Sequence, residues 1–393
     1  MYGNELKSLF HLGDYTNLNH GSFGATPKEI VAKQNEYTLE QEKHPDLWFR
    51  QWYYEHIDLS RSVLGDFINA DKNDIVLVEN ASSAINCVLR SNTFKKGDKI
   101  LVLQTAYNMV LETLLWLSNT IDIEIIKVDL VFPISDFKHI LDQVEKTILL
   151  HEKNSIKLAI FSHVSSMPTM IEPVKELTEL CQKHNILSYI DGAHAPGVVE
   201  IDVVDINADY YTGNLHKWCF APKGVAFMWV SKRCQLENSP QPTVISSTGN
   251  HDFLGRFAYT GTKDYTGFCT IPRCFEFIKS HGGYKEIAKY IHQIVTTAGL
   301  KLAESWNTGL LVPEQMCSSM INVILPSTNE NAIKSMQEIL SNTHSIYVVY
   351  GKVLGSTGSY IYFLRLSGSI YLDIDDLMKI EFLVPQLLNK LNE

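Results

Sequence analysis

Apolar runs rich in β-branched residues alternate with amphipathic helical patterns between residues 75 and 230, and this alternation constrains the fold more than any other feature. Strands that are separated by helices need crossover connections, which produce a mainly parallel sheet covered by helices on both faces. The alternation therefore predicts an α/β fold. The predicted strands lie at 75–78, 99–104, 123–128, 157–163, 186–190, 209–213 and 225–230.

The pattern changes after residue 265, which indicates a second domain. A long helical stretch at 287–306 precedes short strand patterns at 320–325, 346–349 and 360–366. A chain of 393 residues also exceeds the size at which a single core stops growing. We predict an N-terminal arm with the first helix at 1–50, a large domain at 51–280 and a small α+β domain at 281–393. Thr26 is predicted to cap the first helix.

Composition excludes several classes of partner. The net charge is −10 and no basic run is present, so nucleic acid is not expected to bind. Residues 1–10 do not form a signal peptide pattern, and no apolar stretch reaches about 18 residues, so no membrane contact is expected. The seven cysteines are scattered and include no Cys-x-x-Cys pair. This spacing favours reduced thiols in a cytoplasmic protein without a metal site.

Two charged residues follow neighbouring predicted strands. Asp191 follows the strand at 186–190, and Lys217 lies on the loop after the strand at 209–213. Parallel strands end at one edge of the sheet, where α/β proteins bind ligands. An aldehyde cofactor with a pyridine nitrogen needs an amine for a Schiff base and a carboxylate that keeps the nitrogen protonated. Lys217 and Asp191 supply these two groups.

Small residues after the strand at 75–78 predict a phosphate site at a helix N-terminus. The backbone amides and hydroxyl groups of Ala81, Ser82 and Ser83 can hold an anion, and an ordinary helix cap is the alternative. Asn214 and His216, which flank the loop of Lys217, can each donate to the same phosphate.

Two ring side chains are expected to contact the cofactor ring. His194 follows Asp191 closely and can stack on the ring or move protons near neutral pH. Tyr107 follows the strand at 99–104 and can cover a flat ring face. A tyrosine of the core is the alternative for Tyr107.

Two arginines are candidates for binding an anionic substrate group. Arg365 lies inside an apolar strand pattern, where a guanidinium needs either a bound carboxylate or a buried salt bridge. Arg50 is a second candidate anion contact, and a solvated helix residue is the alternative.

Several motifs together resemble one known family. They are LNHGSFGATP (18–27), NASS (80–83), SHVSS (162–166) with PVKEL (173–177), DGAHAPG (191–197), LHKW (215–218) and GTKD (261–264). The chain resembles the pyridoxal-phosphate enzymes of fold type I, in the class V aminotransferase group that includes cysteine desulfurases. Within this group it is most similar to the isopenicillin N epimerase-like branch. The resemblance covers nearly the whole chain.

The resemblance implies how the cofactor is held. Lys217 would form the Schiff base with pyridoxal 5'-phosphate, and Asp191 would pair with the pyridinium nitrogen. The residues from Ala81 to Ser83 would hold the phosphate together with His216. Ser166 would lie near the ring hydroxyl group.

The resemblance also implies a substrate site and an assembly. Arg365 would hold the carboxylate of an amino-acid substrate, and Asn19 and His20 would belong to an arm that closes over the site. The active sites of the family are shared within a homodimer, so Thr262 would reach the phosphate of the neighbouring subunit.

One departure from the family bears on the reaction. Desulfurases carry a mobile cysteine shortly before the carboxylate-binding arginine, and residues 347–364 contain no cysteine. We therefore expect β-elimination from a cysteine-derived substrate, which is a carbon–sulfur lyase reaction without a persulfide cysteine. An amino-acid epimerase with Tyr107 or His194 as the second proton carrier is the first alternative. An aminotransferase and a pyridoxal-phosphate-binding protein without turnover are the others.

Overall fold

Twelve strands form three sheets in the computed structural model, which describes residues 2–91, 94–247 and 252–392. The strands are β1 (Thr16–Asn17), β2 (Ile75–Val78), β3 (Lys99–Leu103), β4 (Glu124–Val128), β5 (Ile156–Ser162), β6 (Leu187–Asp191), β7 (Tyr210–Asn214), β8 (Ala226–Val230), β9 (Met320–Ile324), β10 (Ile346–Tyr347), β11 (Val349–Leu354) and β12 (Tyr360–Ser367).

The central sheet has seven strands in the order β2-β8-β7-β6-β5-β3-β4. Strands β3 to β7 pair in parallel, whereas β8 is antiparallel to both of its neighbours. The five strands β3, β4, β5, β6 and β7 therefore end at one edge of the sheet. This arrangement confirms the predicted α/β fold, and each predicted strand of the central sheet is present within one or two residues of its predicted bounds.

Helices cover both faces of this sheet. They are α1 (His20–Phe23), α2 (Lys28–Lys43), α3 (Pro45–Leu47), α4 (Tyr53–Ile68), α5 (Ala81–Leu89), α6 (Asn108–Ile121), α7 (Phe137–Leu149), α8 (Val174–Lys183), α9 (Val203–Ile206), α10 (Leu215–Trp218), α11 (Lys232–Glu237), α12 (Phe253–Ala258), α13 (Thr266–Cys269), α14 (Ile271–Ser280), α15 (Tyr284–Ser305), α16 (Glu330–His344), α17 (Ile374–Met378) and α18 (Leu383–Asn392).

The central strands are buried on both faces, which explains their unbroken apolar sequences. Every residue of β8 is buried, and so is every residue of β7. A parallel sheet between two helical layers has no solvent face, so alternation of polar and apolar residues is not needed. Residues that follow the strands at the carboxyl edge are not confined between the helical layers and can be polar. Most of the predicted cofactor-binding residues lie at this edge.

A smaller antiparallel sheet follows the long helix α15 in the order β11-β12-β9. This sheet and its helices confirm the predicted small C-terminal α+β domain, whereas the domain boundaries at 50 and 280 stay predictions. The arm is joined to this region by a parallel pair of short strands, in which Thr16 is opposite Ile346 and Asn17 is opposite Tyr347.

The predicted cap of the first helix is wrong. The hydroxyl of Thr26 donates to the carbonyl of Ala221 at 3.1 Å, and Pro27 holds the N-cap position of α2 in an extended conformation. The Thr26 hydroxyl is therefore used in a tertiary hydrogen bond with Ala221 and does not cap the helix as the local sequence pattern predicts. Within the described residues, no helix is both long and apolar enough to cross a membrane.

Candidate active site

A cavity of about 330 Å³ opens at the carboxyl edge of the central sheet. This volume lies within the range of small-molecule sites, which is about 300–1,000 Å³. Its lining includes most of the cofactor residues that the sequence predicts: Ala81, Ser82, Tyr107, Ser166, Asp191, His194, Asn214, His216 and Lys217. The structure therefore brings together residues from five separate stretches of the chain.

Lys217 extends into this cavity from the single helical turn α10. Its Nζ lies 2.8 Å from Nε2 of His194. The pKa of the Lys217 amine is lowered to about 7, mainly by burial; the carboxylate of Asp191 opposes this effect, and the positive charge of Arg365 adds to it. A large share of this amine is therefore neutral near pH 7, which is the form that attacks an aldehyde and accepts a proton.

Asp191 is the last residue of β6 and lies on the floor of the cavity. One carboxylate oxygen accepts the backbone N–H of Ala193 at 3.0 Å. Burial raises the pKa of this carboxyl, while the Ala193 N–H and the charge of Lys217 act in the opposite direction. A cationic ring nitrogen placed against Asp191 would stabilise its charged form.

His194 is a neutral imidazole beside these two groups. Burial lowers the pKa of His194 well below its ordinary value, and the charge of Lys217 adds to this effect. Its Nδ1 is buried and has no hydrogen-bond partner among the described residues. The imidazole face and this nitrogen are available to a bound ring.

The N-terminus of α5 forms the other end of the cavity. Asn80 caps the helix by accepting the N–H of Ser83 at 2.8 Å, and Asn214 accepts the N–H of Ala81 at 2.9 Å. The amide and hydroxyl of Ser82 have no partner within the described part of the chain, and this residue lines the cavity. The helix end therefore offers an anion both unused donors and the positive end of its dipole.

His216 borders the same end of the cavity. Its Nδ1 donates to the carbonyl of Val225 at 3.1 Å, so Nε2 is the ring nitrogen left for a ligand. Burial lowers the pKa of His216 to about 4, and the charge of Lys217 contributes. A bound phosphate dianion would favour the protonated ring, which then donates from Nε2.

Arg365 is a buried cation without a buried anion. The residue is 2% exposed, and no carboxylate of the described residues forms an ion pair with it. Its Nη1 donates to the carbonyl and hydroxyl of Ser166, each at 3.0 Å. Its Nη2 donates to the side chains of Asn19 and Ser22, at 2.5 and 2.8 Å.

These contacts exclude the salt-bridge alternative for Arg365 among the described residues. Burial lowers the pKa of Arg365 to about 10, so the guanidinium is still charged near pH 7. Ser22 and Ser166, which it contacts, line the cavity. A buried charge that only neutral groups surround is suited to an anionic ligand, because the ligand supplies the missing countercharge.

Three predicted site residues have other surroundings within one chain. The Arg50 side chain is 76% exposed and forms a salt bridge with Asp46 on the protein surface. Thr262 is exposed and its hydroxyl contacts the hydroxyl of Tyr259. Ser83 lines an adjacent cavity and not this one.

His20 differs from the expectation that it closes over the substrate. It is 1% exposed, and its Nε2 contacts the backbone carbonyl of Lys217 at 2.9 Å. The ring thus packs behind the lysine segment, whereas Asn19 contacts Arg365. Tyr107 stands at the mouth of the cavity and is 44% exposed, which excludes the core alternative.

Sequence reasoning missed several residues of this cavity. Ser22, Phe23 and Lys223 line it, as does Glu79, which forms an ion pair with Lys263. Ser22 and Phe23 belong to the motif at 18–27, and that motif was the signal that could have identified them. Lys223 and Glu79 stand outside any pattern that we could use.

The residues of the cavity fit pyridoxal phosphate. The cavity supplies a buried carboxylate for the ring nitrogen, a partly neutral lysine for the aldehyde and a helix N-terminus with unused donors for the phosphate. The described residues contain no group of three or more side chains that could hold a metal ion.

Comparison with known proteins agrees with this geometry. The model of the family "Aminotransferase class-V" matches residues 24–378. The chain belongs to the class V aminotransferase family. Membership confirms the resemblance, and with it pyridoxal phosphate as the cofactor.

Two curated proteins that are similar to this chain in sequence have names that concern sulfur chemistry. A probable chloroplastic L-cysteine desulfhydrase of Arabidopsis thaliana is 34% identical over 338 residues, covering 82% of this chain and 71% of that protein. A hercynylcysteine sulfoxide lyase of Schizosaccharomyces pombe is 26% identical and covers 96% of this chain and 95% of that protein.

The fold also matches a solved structure along its whole length. The apo structure of a cysteine desulfurase from Thermococcus onnurineus NA1 superposes with a TM-score of 0.81 at 18% identity, covering 99% of each chain. This match confirms the fold type I architecture of the chain.

Proposed function

We propose that the protein is a pyridoxal-phosphate-dependent carbon–sulfur lyase that eliminates the sulfur substituent from a cysteine-derived amino acid. The observation that carries the proposal is a partly neutral Lys217 in the cavity together with a buried Arg365 that has no ion-pair partner among the described residues and contacts Ser22 and Ser166 of the cavity lining. The desulfhydrase and sulfoxide lyase names of two relatives support the same class of reaction.

Lys217 would hold the cofactor covalently and would also act as the base. When bound, the cofactor withdraws electrons from the α-carbon of the amino acid and so acidifies the α-hydrogen. The amine of Lys217 would accept that proton, because its lowered pKa leaves a large share of it neutral near pH 7. Asp191 would keep the ring nitrogen protonated, and His194 would pack against the ring.

Arg365 binds the substrate carboxylate and fixes the orientation of the α-carbon. Its contacts with Ser166, Asn19 and Ser22 hold the guanidinium in place before the substrate binds. A planar guanidinium can bind a carboxylate with two parallel hydrogen bonds. Here the carboxylate would take the place of the hydroxyls of Ser22 and Ser166, which accept one hydrogen bond from each Nη and line the cavity.

No thiol of the chain is placed to accept the sulfur. All seven cysteines are unpaired and buried, and burial raises the pKa of Cys317 to about 12. A persulfide relay needs an accessible thiolate. The sulfur substituent is therefore released into the solvent. Water then hydrolyses the remaining fragment to pyruvate and ammonia.

Assembly and location complete the proposal. We propose a homodimer with shared sites, in which the exposed Thr262 reaches the phosphate bound by the neighbouring subunit. The seven unpaired, buried cysteines support a reducing compartment, and we propose the cytoplasm.

The reaction is tested by offering cysteine, S-substituted cysteines and their sulfoxides to the cofactor-loaded protein. We expect pyruvate and a sulfur product in equal amounts, and no product from the Lys217→Ala variant. Deuterium uptake at the α-carbon without substrate loss would instead support an epimerase. Conversion of the cofactor to its amine form with release of a keto acid would support an aminotransferase.

A further inference from the structure

A hydrogen-bond network of three side chains, of which Asn17 is half-buried and His20 and Tyr371 are buried, ends at the backbone of Lys217. The amide of Asn17 donates to the hydroxyl of Tyr371 at 3.1 Å. The same hydroxyl lies 2.8 Å from Nδ1 of His20, and Nε2 of His20 lies 2.9 Å from the carbonyl oxygen of Lys217. His20 and Tyr371 are 1% and 0% exposed.

The backbone carbonyl of Lys217, at the end of this hydrogen-bond network, determines the direction of every hydrogen bond in it. The carbonyl of Lys217 can only accept, so Nε2 of His20 carries the hydrogen. Burial lowers the pKa of His20 to about 4, so the ring is neutral and its Nδ1 is an acceptor. The hydroxyl of Tyr371 therefore donates to Nδ1, and Asn17 donates to that hydroxyl oxygen.

Helix α10, which carries Lys217 at the end of this hydrogen-bond network, needs support from outside the helix. Helix α10 has four residues, and the last carbonyls of a helix lack partners within it. A single turn is also unstable by itself, because helix nucleation is unfavourable. A donor from outside the helix is needed to fix the backbone of Lys217.

The arm is packed closely enough against this turn to supply that donor reliably. Gly24 has φ +67°, and a Cβ at this residue would lie 2.0 Å from the carbonyl oxygen of His216. The ring of His20 packs on the indole of Trp218, with ring centroids 4.8 Å apart. The imidazole therefore has little freedom to leave the carbonyl of Lys217.

We infer that His20 is a positioning residue for Lys217, and that Asn17 and Tyr371 hold it in the required tautomer. The inference rests on the proposed function, in which Lys217 carries the cofactor and acts as the base. The His20 ring does not border the cavity, so it acts through the backbone of Lys217 and not on the substrate. The arm, the C-terminal region and the lysine turn are thereby joined by one set of hydrogen bonds.

The test compares His20→Ala, His20→Gln and Tyr371→Phe in the cofactor-loaded protein. A displacement of the reacting amine by about 1 Å can cost up to about 100-fold in rate, so we expect His20→Ala to lower kcat at least about tenfold. KM should change less than about threefold, because Arg365 is untouched. Gln offers one donor and one acceptor, as neutral imidazole does, and should restore kcat to within about threefold of the original protein.

Cofactor retention gives a readout that does not depend on turnover. His20→Ala and Tyr371→Phe should lose pyridoxal phosphate on gel filtration faster than the original protein. Tyr290→Phe is the matched control, because its hydroxyl donates to the carbonyl of Leu372 without reaching Lys217. This control should lower the melting temperature without changing kcat or cofactor retention.

The inference is overturned if folded His20→Ala and Tyr371→Phe proteins keep both kcat and cofactor retention, or if Tyr290→Phe lowers both equally. Should His20→Ala fail to fold, Tyr371→Phe decides the outcome. Failure of the proposed function has a different signature. In that case, the original protein would not bind the cofactor through Lys217, or would bind it and release no sulfur product.

Discussion

At the residue scale, burial sets the ionisation of the two cations that the mechanism uses. Lys217 and Arg365 both have lowered pKa values, and desolvation is the main cause for each. For Lys217 the consequence is a nucleophilic amine near pH 7. For Arg365 the consequence is a charge that is kept but lacks a partner.

The first prediction concerns stability and pH in the cofactor-free protein. The pKa of Lys217 falls from 10.5 to about 7 on folding, so between these values the unfolded chain binds a proton that the folded chain does not. The free energy of unfolding therefore decreases as the pH falls from 10.5 to about 7. Lys217→Met removes this loss and should stabilise the protein by about 2 kcal/mol or more at pH 7.

Urea unfolding at several pH values measures this effect. The stability difference between Lys217→Met and the original protein should be small near pH 10.5 and should grow until pH 7. Below pH 7 it should stay constant. A difference that is independent of pH would show that the amine is charged in the folded protein.

The second prediction concerns the arginine fork. Arg365→Lys keeps the charge but loses the planar pair of donors, and we expect kcat/KM to fall about 100-fold, mostly through KM. Arg273→Lys is the control, because Arg273 is exposed and pairs with Glu29 and Glu276. Steady-state kinetics would contradict the assignment if both variants behaved alike.

At the element scale, short helices and helix ends are held by side chains from elsewhere in the chain. Asn214 at the end of β7 accepts an amide of α5, and His20 at the start of α1 contacts α10. Such contacts join pieces that are too short to be stable alone. Changes at these joints should affect function and stability together.

The third prediction concerns the cap of α5. Asn80→Ala removes the acceptor for the Ser83 amide and should cost about 1 kcal/mol of unfolding free energy. It should also weaken pyridoxal phosphate binding several-fold, because the amides at this helix end become less ordered. Asp136→Ala removes a matching cap, which accepts the amide of His139 at the start of α7.

The two cap variants are separated by a cofactor titration. Both should lose similar stability, and only Asn80→Ala should raise the dissociation constant of the cofactor. Equal cofactor affinity in both variants would place the phosphate away from α5.

The fourth prediction concerns the contact between the arm and the lysine turn. Gly24→Ala adds a Cβ at a left-handed φ, 2.0 Å from a backbone oxygen, and should cost about 2–4 kcal/mol. Gly13→Ala is the control, because no atom lies within 4 Å of the added carbon. Thermal unfolding should shift strongly for the first variant and little for the second.

At the scale of the whole molecule, the site in one chain leaves Thr262 exposed and outside the cavity. The fifth prediction follows from the proposed shared sites. Lys217→Ala and Thr262→Glu should each be inactive, the second because a carboxylate repels the phosphate of the neighbouring subunit. A mixed dimer would contain one site with both changes and one intact site.

Mixing the two inactive variants after reversible dissociation measures this arrangement. Random pairing makes about half of the dimers mixed, so about a quarter of the sites and of the activity should return. No recovery, in spite of mixed dimers seen by native mass spectrometry, would show that each site is built within one subunit.

Local pattern was sufficient for the elements of the fold and for much of the site. The strands of the central sheet have apolar periods that do not depend on distant contacts, and Asp191 and Lys217 follow directly from two of them. The motifs that flank these strands identified the family, which the comparison with known proteins confirmed. Within these limits, the sequence by itself determined the α/β architecture, the cofactor and the residues expected to hold it.

Only the tertiary structure decided which distant side chains meet. It placed His20 under the backbone of Lys217, left Arg50 on the surface and removed Thr26 from its predicted helix cap. It also surrounded Arg365 with neutral groups. The physical reason is that periodicity reports how a segment folds, whereas burial and hydrogen bonding between residues hundreds of positions apart depend on how the finished segments pack.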